Sequence, residues 1–431
     1  MNIEEKIQLL KRNISPHHAE GRICIDLTDP LTGKVKHRVE GENHVFNGPM
    51  IAGSAYNGLS SGGFVQDFSS NLPLVLTDSV AAIDTSLDLV MGQIVGYGIP
   101  SASGSGTYKG SYNSANQILA RKTLDSVYWK YQYDFTTAQA NGTIGTIGLS
   151  NQYLSHQRWT VLPWYIAGNA STYYGNQTCD GRYSFSCSTA GIITKYDNLF
   201  ATTSTIDVSA VVGTTAASTK DVVYCADTGK YGVYVYSATA SLRKVYIFSD
   251  ASFATLETTY TPTNITSSAS SPAYIYGNYL FTAESGVGIK YADYVNNLAP
   301  ITITPTYSKL AQTENINGYS NINYVPSGTM AYGKYLMFGW NPSQYYATAG
   351  VVDMSTFTQV AYGCGQIVSG GSYTFPIVKN PLYDNICCLM SANPVSYQRN
   401  FGAVSAKRLD TPVVKTSANG MTVTYELEVF W

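Results

Sequence analysis

The sequence predicts an all-β protein: an N-terminal β-sandwich-like domain, a five-bladed β-propeller and one short N-terminal helix. Three observations carry this expectation. The 431 residues include 36 Tyr and 38 Gly but only 13% charged residues, a composition that favours strands and turns over helices. A tyrosine-centred phrase recurs as "DGRYSFS", "TGKYGVYV", "YGNYLFT", "YGKYLMF" and, more faintly, "YDNICCL", at intervals of about 50 residues, the period of a propeller blade. Helical periodicity is confined to one short segment near the start.

That segment, "IEEKIQLLKR" at 3–12, places Ile3, Ile7 and Leu10 on one face, with acids early and bases late as a helix dipole prefers. It is too short to be stable alone, so residues 1–20 are expected to form a helical docking segment. "RICIDLTDPLTGKVKHRVEGENHV" follows and reads as a hairpin turning at "DPLTGK". Residues 47–115 are rich in Gly and Ser with brief apolar patches, which reads as loops threaded between short strands. "SVYWKYQYDFTTAQANGTIGTIGLS" at 126–150 alternates in two runs around a turn and reads as a second hairpin. It closes an N-terminal β domain spanning 21–152.

The repeated phrase occupies the next 153–408, aligned on Tyr183, Tyr231, Tyr279, Tyr335 and Ile386. A second landmark follows each of the first four anchors, Asp197, Asp250, Asp293 and Asp353, each at the end of a strand-like run. Four short strands per unit is the size of one blade, and five units make the ring. The fifth copy has Ser405 where the others have Asp, so its last strand is expected to be built differently. A closed ring returns its end beside its start. Residues 409–431, with "MTVTYELEVFW" after an Asn-Gly turn signal, are therefore expected to rejoin the N-terminal domain and pair with "GTIGTIGLS".

A net charge of -2 leaves no basic face to neutralise phosphates, which argues against a nucleic-acid partner. The N-terminus lacks a signal peptide's apolar run and cleavage site, and no later stretch reaches the ~20 apolar residues of a membrane span. Cytosolic synthesis without membrane insertion is expected. Seven cysteines, at 24, 179, 187, 225, 364, 387 and 388, lack zinc-site spacing; they read as unpaired thiols filling a β core, with a Cys179–Cys187 bridge the alternative. No metal or cofactor is implied.

A glycan-cleaving propeller needs carboxylates converging on its axis. Between 155 and 408 the Glu residues are Glu257, Glu284 and Glu314, and the repeated Asp residues read as turn formers. Glu284 and Asp384 would be the candidates in an enzyme, but no residue is assigned a catalytic role, and no metalloprotease, nucleophile-elbow or phosphate-loop motif occurs. The better signal is aromatic. "GNASTYYGNQ" carries Tyr173 and Tyr174, and "GWNPSQYYATAG" carries Trp340, Tyr345 and Tyr346, in polar loops where large rings with hydrogen-bonding rims suit sugar or protein recognition. Rings that merely cap blade ends are the competing reading.

The flanks carry a resemblance. "RICIDLTDPLTGKVKHRVEGENHVFNG" resembles the opening of many phage virion proteins, where a strand pair ending in "GEN" or "GHN" leads into a Gly-rich region. "DFTTAQANGTIGTIGLSN" and "LDTPVVKTSANGMTVTYELEVFW" resemble the segments that bracket variable inserts in phage tail-fibre and head-fibre proteins. The resemblance covers roughly 21–150 and 408–431 and leaves the propeller outside it. It implies a non-enzymatic appendage of the virion, made in the bacterial cytoplasm. Its N-terminal domain would attach to other virion proteins, and its propeller would meet a glycan or protein of the host surface. It also implies, by analogy, a homotrimer. A purely structural head or neck decoration protein and a glycan-degrading enzyme are the alternatives.

Overall fold

The computed structural model describes residues 18–46, 73–85, 87, 89–100, 102–122, 126–150, 161–163, 178–197, 202–214, 218–265, 272–284, 287–306, 326–340, 348–362, 377–380, 385–392, 395–400 and 403–430. The helix expected at 3–12 lies outside them. No described helix is long and apolar enough to cross a membrane.

The chain opens with β1 (His18–Thr28) and β2 (Val35–Glu42), an antiparallel hairpin. Its turn is set by Asp29, whose carboxylate accepts the amides of Leu31 and Thr32 at 2.9 and 3.0 Å and meets Lys36 at 2.9 Å. These partners hold the Asp29 carboxyl below the usual range. The short strands β3 (His44–Val45), β4 (Leu74–Thr77), β5 (Ile94–Gly98), β6 (Lys109–Tyr112) and β7 (Ile118–Lys122) lead to β8 (Ser126–Phe135) and β9 (Gly142–Ser150). The expected hairpin at 126–150 is instead an arch. β8 pairs with β6 and β7, β9 pairs with β4, and the two long strands face each other across the core. Both have their apolar side inward: Trp129, Tyr131, Tyr133 and Phe135 from β8 meet Ile144, Ile147 and Leu149 from β9. At about 1.5–3 kcal/mol per buried large side chain, facing across the core stabilises them more than lying side by side. The glycine-rich stretch before β8 makes room for these rings, since a Cβ on Gly98 would fall 2.2 Å from Tyr133 and one on Gly110 2.6 Å from Phe135.

Among the described residues twenty strands follow as five four-stranded blades of a propeller, the second and third joined into one sheet where their inner strands β15 and β19 pair in parallel. The first to be reached, β10 (Val161–Pro163), belongs to the last blade. Blade one is β11 (Thr178–Cys179), β12 (Tyr183–Cys187), β13 (Ile192–Asp197) and β14 (Thr202–Asp207). Blade two is β15 (Thr219–Cys225), β16 (Lys230–Tyr236), β17 (Lys244–Phe248) and β18 (Leu256–Tyr260). Blade three is β19 (Ala273–Tyr276), β20 (Tyr279–Glu284), β21 (Gly288–Asp293) and β22 (Ile301–Ile303). Blade four is β23 (Pro326–Tyr332), β24 (Tyr335–Trp340), β25 (Thr348–Asp353) and β26 (Thr358–Ala361). Blade five is β27 (Ile377–Asn380), β28 (Asn385–Ala392) and β29 (Val395–Asn400), completed by β10 against β29, with Val161 opposite Arg399.

The ring is thus closed by a strand from before its first blade. Ser405, taken as the fifth landmark, is not in the propeller. It lies in β30 (Ala403–Lys415), which pairs with β9 and β3, so the sandwich begins again at 403 and not after 408. The final strand β31 (Gly420–Phe430) runs between β1 and β8 over its full length. Its expected partner, "GTIGTIGLS", pairs with β30 instead. Ser150 is opposite Ala403 where the chain leaves and re-enters the sandwich, and Val161 is opposite Arg399 in the last blade. A second tie joins Gly92 N–H to Val360 O of blade four at 2.8 Å.

The seams between blades explain the repeated words. Gly181, Gly229, Gly277 and Gly333 turn the first strand of each blade into the second at positive φ. Tyr183, Tyr279 and Tyr335 then stand opposite the landmark residues Asp197, Asp293 and Asp353 in the strand ladder. Asp250, Asp293 and Asp353 accept the backbone amides of their own turns at 2.8–3.1 Å, the role expected of them. Asp197 meets Arg182 at 2.8 Å, and Asp353 meets Lys334 at 2.6 Å.

A further device follows Asp250, Asp293 and Asp353. Phe253, Asn297 and Phe357 hold φ of 55°, 57° and 56°, and each reaches back to the preceding blade. Phe253 lies 6.3 Å from Phe185, Phe357 lies 4.7 Å from Tyr279, and Asn297 accepts the Asn264 amide at 2.8 Å. Truncating Phe253 is therefore expected to cost about 3 kcal/mol as Phe253→Ala. Phe253→Gly should be the milder change by about 1 kcal/mol because glycine adopts positive φ freely. Urea unfolding of both variants checks the order.

Lys415 carries a pH dependence. It is 1% exposed, and its ammonium donates to Thr136 O at 2.8 Å and to Asn141 Oδ1 at 3.0 Å. Burial pulls it from 10.5 down to about 8. Between those values the unfolded chain holds a proton that the folded chain has released, so stability rises with pH across the window and the penalty is fully present below it. Lys415→Met is expected to remove this contribution, read as the difference between the two proteins' unfolding profiles from pH 8 to 10.5.

Candidate functional site at the axis of the propeller

The five inner strands converge on an axis that the described residues fill at mid-height. Tyr274 of blade three, fully buried, accepts the Cys179 amide of blade one at 3.0 Å and bonds the Thr329 hydroxyl of blade four at 2.8 Å. Thr178 of blade one donates to Val222 O of blade two at 2.8 Å and accepts the Ala273 amide at 2.9 Å. Four blades are thereby tied together, and the phenol is pushed well above its ordinary value by burial. This plug separates the two ends of the axis.

At the end where first strands turn into second strands lies a ring of five residues. Each is the cross-strand partner of a repeat anchor: Asp180 of Tyr183, Tyr224 of Tyr231, Tyr276 of Tyr279, Tyr332 of Tyr335 and Lys379 of Ile386. All five are half-exposed as residues. Lys379 Nζ stands 4.2 Å from the Tyr332 ring centre, and its amide donates to Gly181 O of blade one at 2.8 Å, closing the ring. The Tyr224 and Tyr276 rings pack on one apolar cluster between blades two, three and four. Asp180 forms the floor. Its carboxylate accepts the Tyr231 hydroxyl at 2.5 Å and the amides of Arg182 and Tyr183 at 2.8 and 2.6 Å, and burial outweighs these bonds to raise its pKa. Burial also lifts the Tyr224 phenol to about 12. The mouth thus offers three phenols and an ammonium, a surface for stacking with a polar rim.

Tyr231 differs from the other anchors. Blade two closes its first turn with four residues between Cys225 and Lys230, whereas two residues separate Tyr276 from Tyr279. The shift sends Tyr231, and Tyr224 opposite it, to the other face of the sheet from Tyr279 and Tyr276; the two rings lie 5.2 Å apart, and Tyr231 packs 5.2 Å from Phe185 of blade one.

Of the residues expected to bind, Tyr173 and Tyr174 in 164–177 and Tyr345 and Tyr346 in 341–347 lie outside the described residues. Trp340 closes β24 opposite Pro326 and Thr348. β29 ends and β10 begins on the mouth side, so the connections to the sandwich leave from there. Of the two enzyme candidates, Asp384 lies outside the described residues and Glu284 is paired with Lys290 at 2.6 Å. Among the described residues no three His, Cys, Asp or Glu side chains gather as metal ligands. Cys24, Cys179, Cys187 and Cys225 are free thiols, and burial pushes Cys187 and Cys225 up to about 12. No Cys179–Cys187 bridge forms.

A five-bladed propeller carried by a β-sandwich is the class of protein that these elements define. No family model matches the chain. No curated protein matches it either. Among solved structures it is similar to the RRP9 WD40 repeats, at 12% identity and a TM-score of 0.24, covering 50% of this chain and 58% of that one, so it spans under two thirds of that structure's length. It is similar to BamB from Moraxella catarrhalis at 10% identity and a TM-score of 0.24, covering 63% of this chain and 99% of that one. An α-L-arabinofuranosidase from Clostridium thermocellum gives 9% identity and a TM-score of 0.24, covering 71% of this chain and 97% of that one.

Proposed function

We propose that this chain is a non-enzymatic phage virion appendage that attaches through its sandwich and presents the propeller to the host cell surface. The observation that carries the reading is the insertion. The propeller enters and leaves between Ser150 and Ala403, which are paired with each other, so a closed recognition module hangs from a sandwich whose own strand order is continuous without it. The mouth tyrosines and Lys379 supply stacking faces and a donor suited to a surface glycan or a protein loop. The Glu284–Lys290 pair and the plugged axis support a binding role over glycan cleavage, which needs two carboxylates across an open site. The test is to incubate the purified chain with bacterial cells and with their extracted surface glycans. Saturable binding without release of reducing sugar is the expected result; sugar release turns the reading to an enzyme, and absence of binding to turns it to a decoration protein.

A further inference from the structure

We infer that β2 is a docking edge for a second copy of this chain, joined about a two-fold axis through Val39. Among the described residues β2 pairs only with β1, and it forms one edge of the sandwich sheet. Its eight residues, "VKHRVEGE", contain no proline and are exposed or half-exposed throughout. Its inward side leaves the sandwich core uncovered at this edge, where Val39 is only partly covered.

What identifies the occupant is the order of charges. Antiparallel pairing about Val39 sets Arg38 opposite Glu40 of the other copy, and the symmetry repeats the pair. The two Arg38–Glu40 pairs fall on one face, while Val39 meets its own copy on the other; Lys36 lies at a bulge opposite Leu27 and Thr28, where it meets Asp29 at 2.9 Å. A strand with like charges at mirrored positions about its centre would not match itself in this way. The charged groups are held ready for it: Arg38 is fixed by Asp26 at 2.6 Å and lies 3.6 Å from Glu40, with side chains 54% and 63% exposed. Charged edges commonly block strand pairing. Here the same charges select one partner, in one register. The assembly is two-fold, unlike the trimer implied by the resemblance to fibre proteins.

The test is the mass of the full-length chain in solution over a wide concentration range, with two charge variants. The natural chain is expected to dimerise. Glu40→Lys sets Lys against Arg38, and Arg38→Glu sets Glu against Glu40, each at both symmetric positions, and each variant alone should dimerise roughly tenfold more weakly or worse. An equimolar mixture restores opposite charges at every position and should recover the dimer. A monomeric natural chain at all concentrations, as when residues 1–17 cover the edge themselves, overturns the inference. So does a dimer that neither variant weakens, or a mixture that stays as weak as its parts.

Discussion

Tyr274→Ala is expected to lower the unfolding free energy of the protein by about 3–5 kcal/mol, the cost of emptying a fully buried aromatic position. In a domain of this size that is a fall of roughly 10 °C in the thermal midpoint. The ring fills the axis, and its hydroxyl joins blade three to the Cys179 amide of blade one and to Thr329 of blade four. Tyr274→Phe keeps the packing and strands those polar partners, so about 1–3 kcal/mol is expected. The pair of variants separates packing from bonding in one calorimetric comparison. Equal losses for both would show that the hydrogen bonds dominate the plug. No loss for either would show that the axis does not hold the blades together.

The second large effect concerns binding. Tyr332→Ala and Lys379→Ala, made together, remove the half-exposed ring and ammonium that stand 4.2 Å apart at the mouth. Neither belongs to the buried plug. If the mouth is where a surface ligand stacks, the double variant should weaken cell binding by at least roughly tenfold while leaving the thermal midpoint within a few degrees. Tyr345→Ala with Tyr346→Ala probes the segment between β24 and β25 as the second candidate. Undiminished binding in both would remove the propeller axis from the account.

The repeat was legible because its chemistry is local. A glycine at positive φ, an anchor residue and an Asp that caps its own turn recur within a few residues of one another, and local patterns survive without knowledge of strand partners. Tertiary choices were less legible. Alternation in β8 and β9 shows which side of each strand is apolar, but not whether the two lie side by side or face each other across a core. Val161–Pro163 is too short to carry any periodicity, yet it closes the ring. The mouth needed register. "YGNY" and "YGKY" contain Tyr276 and Tyr332 as the first letter, but the second tyrosine repeats more regularly and so marks the period. In blade two the longer turn puts Tyr224 seven residues before its anchor, where no alignment by phrase would find it.

The central claim is that the propeller is a recognition module hung from a sandwich that does not need it to fold. Because Ser150 and Ala403 are already opposite each other, residues 151–402 can be replaced by a tight Asn-Gly turn. The shortened chain, compared with the full chain for cooperative unfolding and for binding to bacterial cells, tests this directly. It is expected to fold cooperatively and to lose all cell binding. A shortened chain that still binds cells as the full chain does, or one that cannot fold without the propeller, would contradict the account.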